Sequence, residues 1–433
     1  MLKGGETQMS KTKKNPKKFV REYNNKGIKI RLYPTEDQAL LIDKTISYNT
    51  ELWNRLVEMT ESRRKAIHKT YAQNYKDKDY EGVPNIELSA FSLGYIVSSF
   101  KKTDRPQWKE IDSQTLINTA DKVSKAYKAW HNPKQEVVKK PKKHDTFLGL
   151  SGAYYSKFAP DKKLQVSKAF INIPKLGNIK FKGGQSFYNC KTKGITVSKD
   201  SLGNYYGSVL IAFRKKQPKP VKTKVGLDVG QKTLVSTSDA VKYATKYFNL
   251  DISLNKHHWE ILQARRGLAS KKRVANLEHN GKDAKDWRDV AGYQNARHQV
   301  AKYNKQSANR RTDYLQKITT ILVNQYDMIV MEDIKVSNLN TKKGHNGRKL
   351  ANQSWRALRS MLEYKCKQSG KTFKVVNPYK TSQICPNCGY DDGWHGVSSK
   401  AEYLNVREWT CPKCNKHHDR DIGAAQVILS KAF

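Results

Sequence analysis

The chain has 433 residues, enough for roughly two to four domains with separate cores. Its 82 Lys and Arg against 39 Asp and Glu leave a formal charge of +43, spread along the whole length. Such an excess calls for a polyanionic partner, nucleic acid first, because each neutralised phosphate releases counterions; a merely soluble supercharged or ribosome-associated protein is the bland alternative.

The first 21 residues, MLKGGETQMSKTKKNPKKFVR, are basic and carry no apolar core of a secretion signal, so a cytoplasmic location is expected; Met9 is a second candidate start. GIKIRLYP (27–34) alternates apolar and polar residues and ends in Pro, which predicts a strand. Thr35 and Gln38 fit a capping box, and Leu40, Leu41, Ile46, Leu52, Trp53, Leu56 and Met59 follow at helical spacing to about Lys69. A second helical pattern covers 111–130 and leads into a Lys/Pro-rich stretch. After 145 the pattern turns to short strands, LQVSKAFINIPKLGNIKF and GITVSKDSLGNYYGSVLIAF, closed by a Pro/Lys linker at 215–224. Beyond it, KVGLDVGQKTLVSTSDA predicts a buried strand, a turn and a second strand. Two polar, basic helices are expected at about 252–274 and 285–325, then a buried strand in YDMIVMEDIKV, an amphipathic helix ending at Gly370, and a strand in KTFKVVNP. Strands alternating with helices make this half α/β. The longest apolar runs, ITTILV and MIVM, are far shorter than the roughly 18 residues of a spanning helix, and no basic amphipathic helix dominates, so no membrane is expected.

Six cysteines stand at 190, 366, 385, 388, 411 and 414. The last four form two Cys-x-x-Cys pairs in CPNCG and CPKCN, with Pro and Gly where tight knuckles need them. In a basic chain of this kind they read as one structural zinc site rather than a disulfide framework. Cys190 and Cys366 read as ordinary small residues.

Three carboxylates stand out. Asp228 lies in VGLDVG, where apolar neighbours predict burial; it either binds a cation or stabilises the turn at Gly230. Glu332 ends the second buried strand, with Asp333 as competitor and a salt bridge as the plain reading. Asp421 opens a helix of small residues, where Asp419 or Asp421 serves as N-cap. Together, carboxylates from two strands and one helix can converge on paired Mg²⁺ ions that promote phosphodiester cleavage. GxDxG alone also fits the phosphate loop of an actin-like ATPase, which the charge and the terminal cysteines disfavour.

GLDVGQKTLVSTSD, MEDIKVSNL, SWRALRSMLEYKCKQSGKTFKVVNPYKTSQICPNCG and VREWTCPKCNKHHDRDIGAAQVI resemble the TnpB family of transposon-associated RNA-guided DNA endonucleases, relatives of compact type V CRISPR effectors. The resemblance extends upstream through ANRRTDYLQK, IPKLGNIKF, the helix around 114–130 and IKIRLYPTEDQ. It implies a multidomain α+β chain. A β-barrel wedge domain (1–35 and 145–220) would carry an inserted helical recognition domain (36–144). An RNase H-like (RuvC) α/β nuclease domain (221–376 and 417–433) would carry an inserted zinc ribbon (377–416). It further implies Asp228, Glu332 and Asp421 as the Mg²⁺-binding triad and Cys385, Cys388, Cys411 and Cys414 as the Zn²⁺ ligands. The implied partners are a guide RNA and double-stranded DNA with an adjacent motif, handled by a monomer in a prokaryotic or phage-encoded setting; a nuclease-dead guided repressor is the alternative. The family often has Asn where this chain has Gly423. His417 and His418 are expected to be solvated or structural. Arg265, Arg266, Lys271, Lys272, Arg273, Arg310 and Arg311 are candidates for nucleic-acid contact, against a solvated basic helix face.

Overall fold

The computed structural model describes residues 23–131 (other than 78, 80 and 87), 138–144, 149–152, 164–183, 191–230 (other than 215 and 219), 233–244, 260–271 (other than 269), 291–334 and 354–433 (other than 394 and 404). The chain forms two compact units, Met1–Arg214 and Lys215–Phe433. Cys190, Lys272 and Arg273 lie outside the described residues.

In the first unit, β1 (Tyr23–Tyr33) is followed by α1 (Glu36–Thr70), α2 (Ala72–Asp77), α3 (Ala90–Lys102) and α4 (Ser113–His131). The strands β2 (Gly149–Gly152), β3 (Gln165–Val166), β4 (Phe170–Ile173), β5 (Gly177–Lys182), β6 (Lys191–Lys199) and β7 (Tyr205–Arg214) then complete a seven-stranded antiparallel sheet in the order β2-β6-β7-β1-β5-β4-β3. The alternation in GIKIRLYP sends Ile30 and Leu32 to one face, where they pack with Ile171, Ile173, Ile179, Val197, Val209 and Ile211. The sheet curls: the Thr192 hydroxyl on β6 donates to the Leu164 carbonyl just before β3, 3.3 Å away. The expected capping box starts α1, with the Thr35 hydroxyl accepting from the Gln38 N–H and Gln38 Oε1 accepting from the Thr35 N–H. Gln38 also donates to the carbonyls of Leu176 and Asn178, which ties the helix to the β4–β5 turn. One end of α1 gives Ile42 to the sheet core; farther along, Leu52, Trp53 and Leu56 pack with Leu93, Trp108, Leu116 and Tyr127 in a helical core.

In the second unit, β8 (Lys224–Asp228), β9 (Thr233–Thr237), β10 (Lys242–Ala244), β11 (Met328–Glu332) and β12 (Thr372–Val376) form a mixed sheet in the order β10-β9-β8-β11-β12. β8, β11 and β12 are parallel and β9 and β10 antiparallel. β11 is buried at all five positions, as its unbroken apolar run predicts for a parallel strand covered on both faces. On one face α5 (Ala291–Gln325) and α6 (Trp355–Ser369) supply Leu315, Leu322, Leu358 and Leu362 to the core. On the other lies α8 (Arg420–Ser430), so close that a Cβ on Gly226 would sit 2.0 Å from the Ala425 carbonyl oxygen. Between β12 and α8 come the short α7 (Lys400–Tyr403) and a hairpin, β13 (Glu408–Thr410) with β14 (His417–Asp419). The strand β10 was not visible as a separate element in the sequence, and Cys366 is buried in the α6 core. No helix among the described residues is long and apolar enough to cross a membrane.

Candidate functional site

The two Cys-x-x-Cys knuckles have the same backbone construction. The N–H of Cys385 donates to the Tyr390 carbonyl and that of Cys411 to the Lys416 carbonyl, at 2.8 and 2.9 Å. Four residues after each of these cysteines, Gly389 and Asn415 take left-handed φ values of 74° and 56°; glycine and asparagine tolerate that region best. The four sulfurs lie within 4.8 Å of one another, and among the described residues no other set of three or more His, Cys, Asp or Glu does so. A set of four thiolates fits one tetrahedral Zn²⁺. Burial pushes the Cys385 thiol up to about 12, whereas the backbone N–H of Lys416 leads the effects that bring Cys414 down to about 6. His418 Nε2 lies 3.2 Å from Cys385 Sγ, and its ring leans on Trp409 with centroids 5.2 Å apart. His417 faces Glu408 at 3.5 Å. Both histidines thus belong to the hairpin beside the cysteines.

The three singled-out carboxylates line one cavity of about 500 Å³. Asp228 ends β8 and Glu332 ends the neighbouring parallel strand β11, where Leu227 is in register with Met331. Asp421 sits in the first turn of α8. Asp419 is engaged elsewhere: its carboxylate accepts from the N–H groups of Asp421 and Ile422 as the helix N-cap and pairs with Lys242 at 2.5 Å. Asp333 pairs with Arg359. Burial and the charges of Glu332 and Asp421 push Asp228 up to about 8, against the pull of Arg420. Burial also raises Glu332, opposed by a hydrogen bond from the Thr381 hydroxyl and by Lys431. Negative charge therefore exceeds its local compensation, and a hard divalent cation suits this all-oxygen set.

Two arginines also line the cavity. Arg420 stacks on Tyr403 and donates from Nη1 to the carbonyls of Tyr403 and Val406, while its backbone N–H donates to the Arg407 carbonyl. Arg407, with 44% of its side chain exposed, is 3.8 Å from Asp421. Sequence reading missed Thr381, Arg407 and Arg420; their only signal was position inside the cysteine-rich blocks. Of the basic candidates, Arg265, Arg266, Lys271 and Arg310 are exposed, and the half-buried Arg311 donates to Ser307 one turn away at 2.8 Å. None of them lines the cavity.

Residues 206–343 match the family described as "Probable transposase", and residues 355–428 match "Cas12f1-like, TNB domain". Two relatives are named "Putative RNA-guided DNA endonuclease": one from Streptomyces pristinaespiralis, 34% identical over 54% of this chain and 52% of its own length, and InsQ of Escherichia coli, 26% identical over 76% and 77%. "TnpB-like protein MJ0751" of Methanocaldococcus jannaschii is 27% identical over 56% of this chain and 79% of its own. In these regions the chain is similar to the TnpB family. The match spans only about half the length of the Streptomyces relative. Among solved structures, the Cas12f1–sgRNA–target DNA complex aligns over 95% of this chain and 100% of its own at 16% identity, with a TM-score of 0.32, too loose a likeness to place residues by.

Proposed function

We propose that this chain is an RNA-guided DNA endonuclease that locates double-stranded DNA through a guide RNA and a short adjacent motif and hydrolyses it in the cavity between β8, β11 and α8. The observation that carries this reading is the convergence of Asp228, Glu332 and Asp421 on one cavity, within a chain of charge +43, two of whose relatives are named "Putative RNA-guided DNA endonuclease".

In this reading Asp228, Glu332 and Asp421 hold a pair of Mg²⁺ ions, which when bound activate water and neutralise the leaving oxygen. The chain's own groups prepare the site. Thr381 orients Glu332 and offsets part of the rise that burial imposes on it. Asp419 fixes the first turn of α8 and hence the Asp421 side chain. Arg407 supplies positive charge at the mouth for incoming phosphates. Residues 377–416 form the zinc ribbon and 221–376 with 417–433 the RuvC-like domain. Residues 1–35 with 145–220 form the wedge barrel, and 36–144 the recognition domain. The curled seven-stranded sheet supports the wedge assignment, and the separate helical core of α1, α3 and α4 supports the insertion.

The test is to express the protein with its native flanking DNA, sequence the RNA that copurifies and challenge a target library with Mg²⁺. Guide-matched, motif-dependent cutting lost on Asp228→Ala or Asp421→Ala is expected. Undiminished cutting by either variant refutes the site, and guided binding without cutting by the native protein refutes the nuclease.

A further inference from the structure

The hydroxyl that holds Glu332 belongs to Thr381, and the backbone does little to hold Thr381. The β11–β12 ladder ends at Val376, and residues 379–383 follow as a turn with no strand or helix of their own. Lys380, directly before Thr381, takes a left-handed φ of 58°. A residue with a Cβ keeps that strained conformation only where its surroundings over-determine it. Here the surroundings come from residues 391–403. Lys380 pairs with Asp391, and the Asp392 N–H donates to the Gln383 carbonyl at 3.0 Å.

A third tie, from His395, arrives next to Thr381 itself. His395 lies in a loop between Gly393 and Gly396 and is itself left-handed, with φ of 56°; histidine enters that region more readily than most side chains. The loop turns the imidazole inward, where it is fully buried and stacked on Trp409 with ring centroids 3.8 Å apart. Nε2 lies 2.9 Å from the Ser382 carbonyl oxygen and Nδ1 3.1 Å from Asp392 Oδ2. A carbonyl oxygen can only accept, so Nε2 carries the proton and donates it to this bond. The same carbonyl accepts from the Tyr403 hydroxyl at 3.1 Å, and the Ser382 hydroxyl lies 2.7 Å from that of Tyr403. Ser382 is thus gripped by His395 and Tyr403, and with Thr381 it lines the carboxylate cavity. Stacking on Trp409 asks only for a flat ring. A buried imidazole needs partners for its nitrogens as well, and one of them is found outside the cysteine core, in the cavity wall.

We infer that His395 is a positioning residue for the reaction: its bond to the Ser382 carbonyl fixes the 379–383 turn, and with it the Thr381 hydroxyl that sets Glu332 for the cation. His395 touches neither cation nor substrate and acts only through Ser382 and Thr381. Partners that orient a metal's ligands ordinarily change affinity or activity by about 10–100-fold. This deepens the cation-site part of the proposed function and rests on it.

The test uses the full chain, stripped of RNA at high salt, dialysed into Mg²⁺-free buffer and titrated with Mg²⁺ alone while Tm is followed. Zinc content is measured on the same samples. An asparagine amide overlies Nδ1 of a histidine and a glutamine amide overlies Nε2, so two substitutions separate the two bonds. His395→Asn suits the left-handed backbone but loses the bond to Ser382. It should keep its zinc at the native level and raise the Mg²⁺ concentration for half-maximal stabilisation by about tenfold. In guided cleavage it should lower kcat and leave KM for the target unchanged. His395→Gln keeps a donor for the Ser382 carbonyl and should restore the Mg²⁺ midpoint to within about threefold of native. Tyr403→Phe removes the second donor to that carbonyl while keeping the ring beneath Arg420, and should shift the midpoint in the same direction as His395→Asn; it serves as the test should the His395 variants fail to fold. Native Mg²⁺ midpoints in both His395→Asn and Tyr403→Phe overturn the inference. So does an equal deficit in the asparagine and glutamine variants, or loss of zinc in step with Mg²⁺ affinity, either of which makes His395 a part of the ribbon's fold alone. A native protein that Mg²⁺ does not stabilise refutes the cation site itself and the inference with it, and that result is read before any variant is compared.

Discussion

Replacing Asp228 by Asn keeps the shape of the side chain and removes its charge, and the structure fixes the sign of the effect on stability. Burial and two neighbouring carboxylates raise Asp228 from the ordinary value of 3.8 to about 8. A carboxyl whose folded-state pKa is raised binds more protons folded than unfolded, so in chelator it destabilises the fold increasingly as pH rises from about 4 to about 8. At about 1.36 kcal/mol per pH unit the ceiling is about 5–6 kcal/mol, and solvent entering the cavity reduces this to a few kcal/mol. Asp228→Asn should therefore raise Tm in chelator at pH 8.5 by about 5–10 °C, given about 2–4 °C per kcal/mol for a domain of the second unit's size. The gain should be less than half as large at pH 5.5 and vanish near pH 4. Mg²⁺ at a hundred times its Kd should stabilise the native protein by about 2.7 kcal/mol and leave the variant nearly unmoved. Differential scanning fluorimetry across pH, with EDTA or Mg²⁺, reads all of these. A variant less stable than the native protein in chelator at pH 8.5, or a pH-independent difference, refutes a buried, uncompensated carboxylate. Equal Mg²⁺ stabilisation of both refutes the cation site.

Thr381→Val removes the hydroxyl that opposes the rise of Glu332, so the acid limb of the cleavage pH profile should move about one unit to the alkaline side; an unmoved limb refutes the role of that hydrogen bond. Cys414→Ser, or stripping zinc with a strong chelator, should speed amide exchange in β13, β14 and the first turn of α8 together, read by hydrogen exchange; protection persisting in α8 would separate the two elements. Gly226→Ala should destabilise by about 3 kcal/mol or more, because the new Cβ meets backbone, whereas Gly423→Ala should stay within about 1 kcal/mol, its nearest neighbours being Pro386 at 3.7 Å and His418 at 3.9 Å. Chemical denaturation compares the pair, and equal effects refute the packing argument.

The cysteine knuckles were legible because their constraint is local: two cysteines within one tight turn, with Gly or Asn where φ turns positive. β11 was legible because an unbroken apolar run ahead of Glu332 has few other uses. The choice among neighbouring acids was harder. Nothing local separates Asp421 from Asp419, or Glu332 from Asp333, until Lys242 and Arg359 arrive from elsewhere in the chain to engage Asp419 and Asp333, the two that do not line the cavity. Thr381 was invisible for the same reason, since its partner lies 49 residues away. The basic helices drew attention through charge density, but density does not say which way a side chain points.

The short distance in sequence between the last knuckle and the last carboxylate has a structural consequence. Asp419 closes the β13–β14 hairpin and at the same time caps α8, so no linker separates the cysteine site from Asp421. Arg420 adds a second tie, holding the carbonyls of Tyr403, Val406 and Arg407 with its side chain and backbone. A displacement of the hairpin must therefore either move Asp421 and Arg407 or break several hydrogen bonds, each worth about 0.5–1.5 kcal/mol. The cheaper course is to move together. A metal that orders the four cysteines therefore also orders one wall of the carboxylate cavity, although it contributes no atom to that cavity's lining.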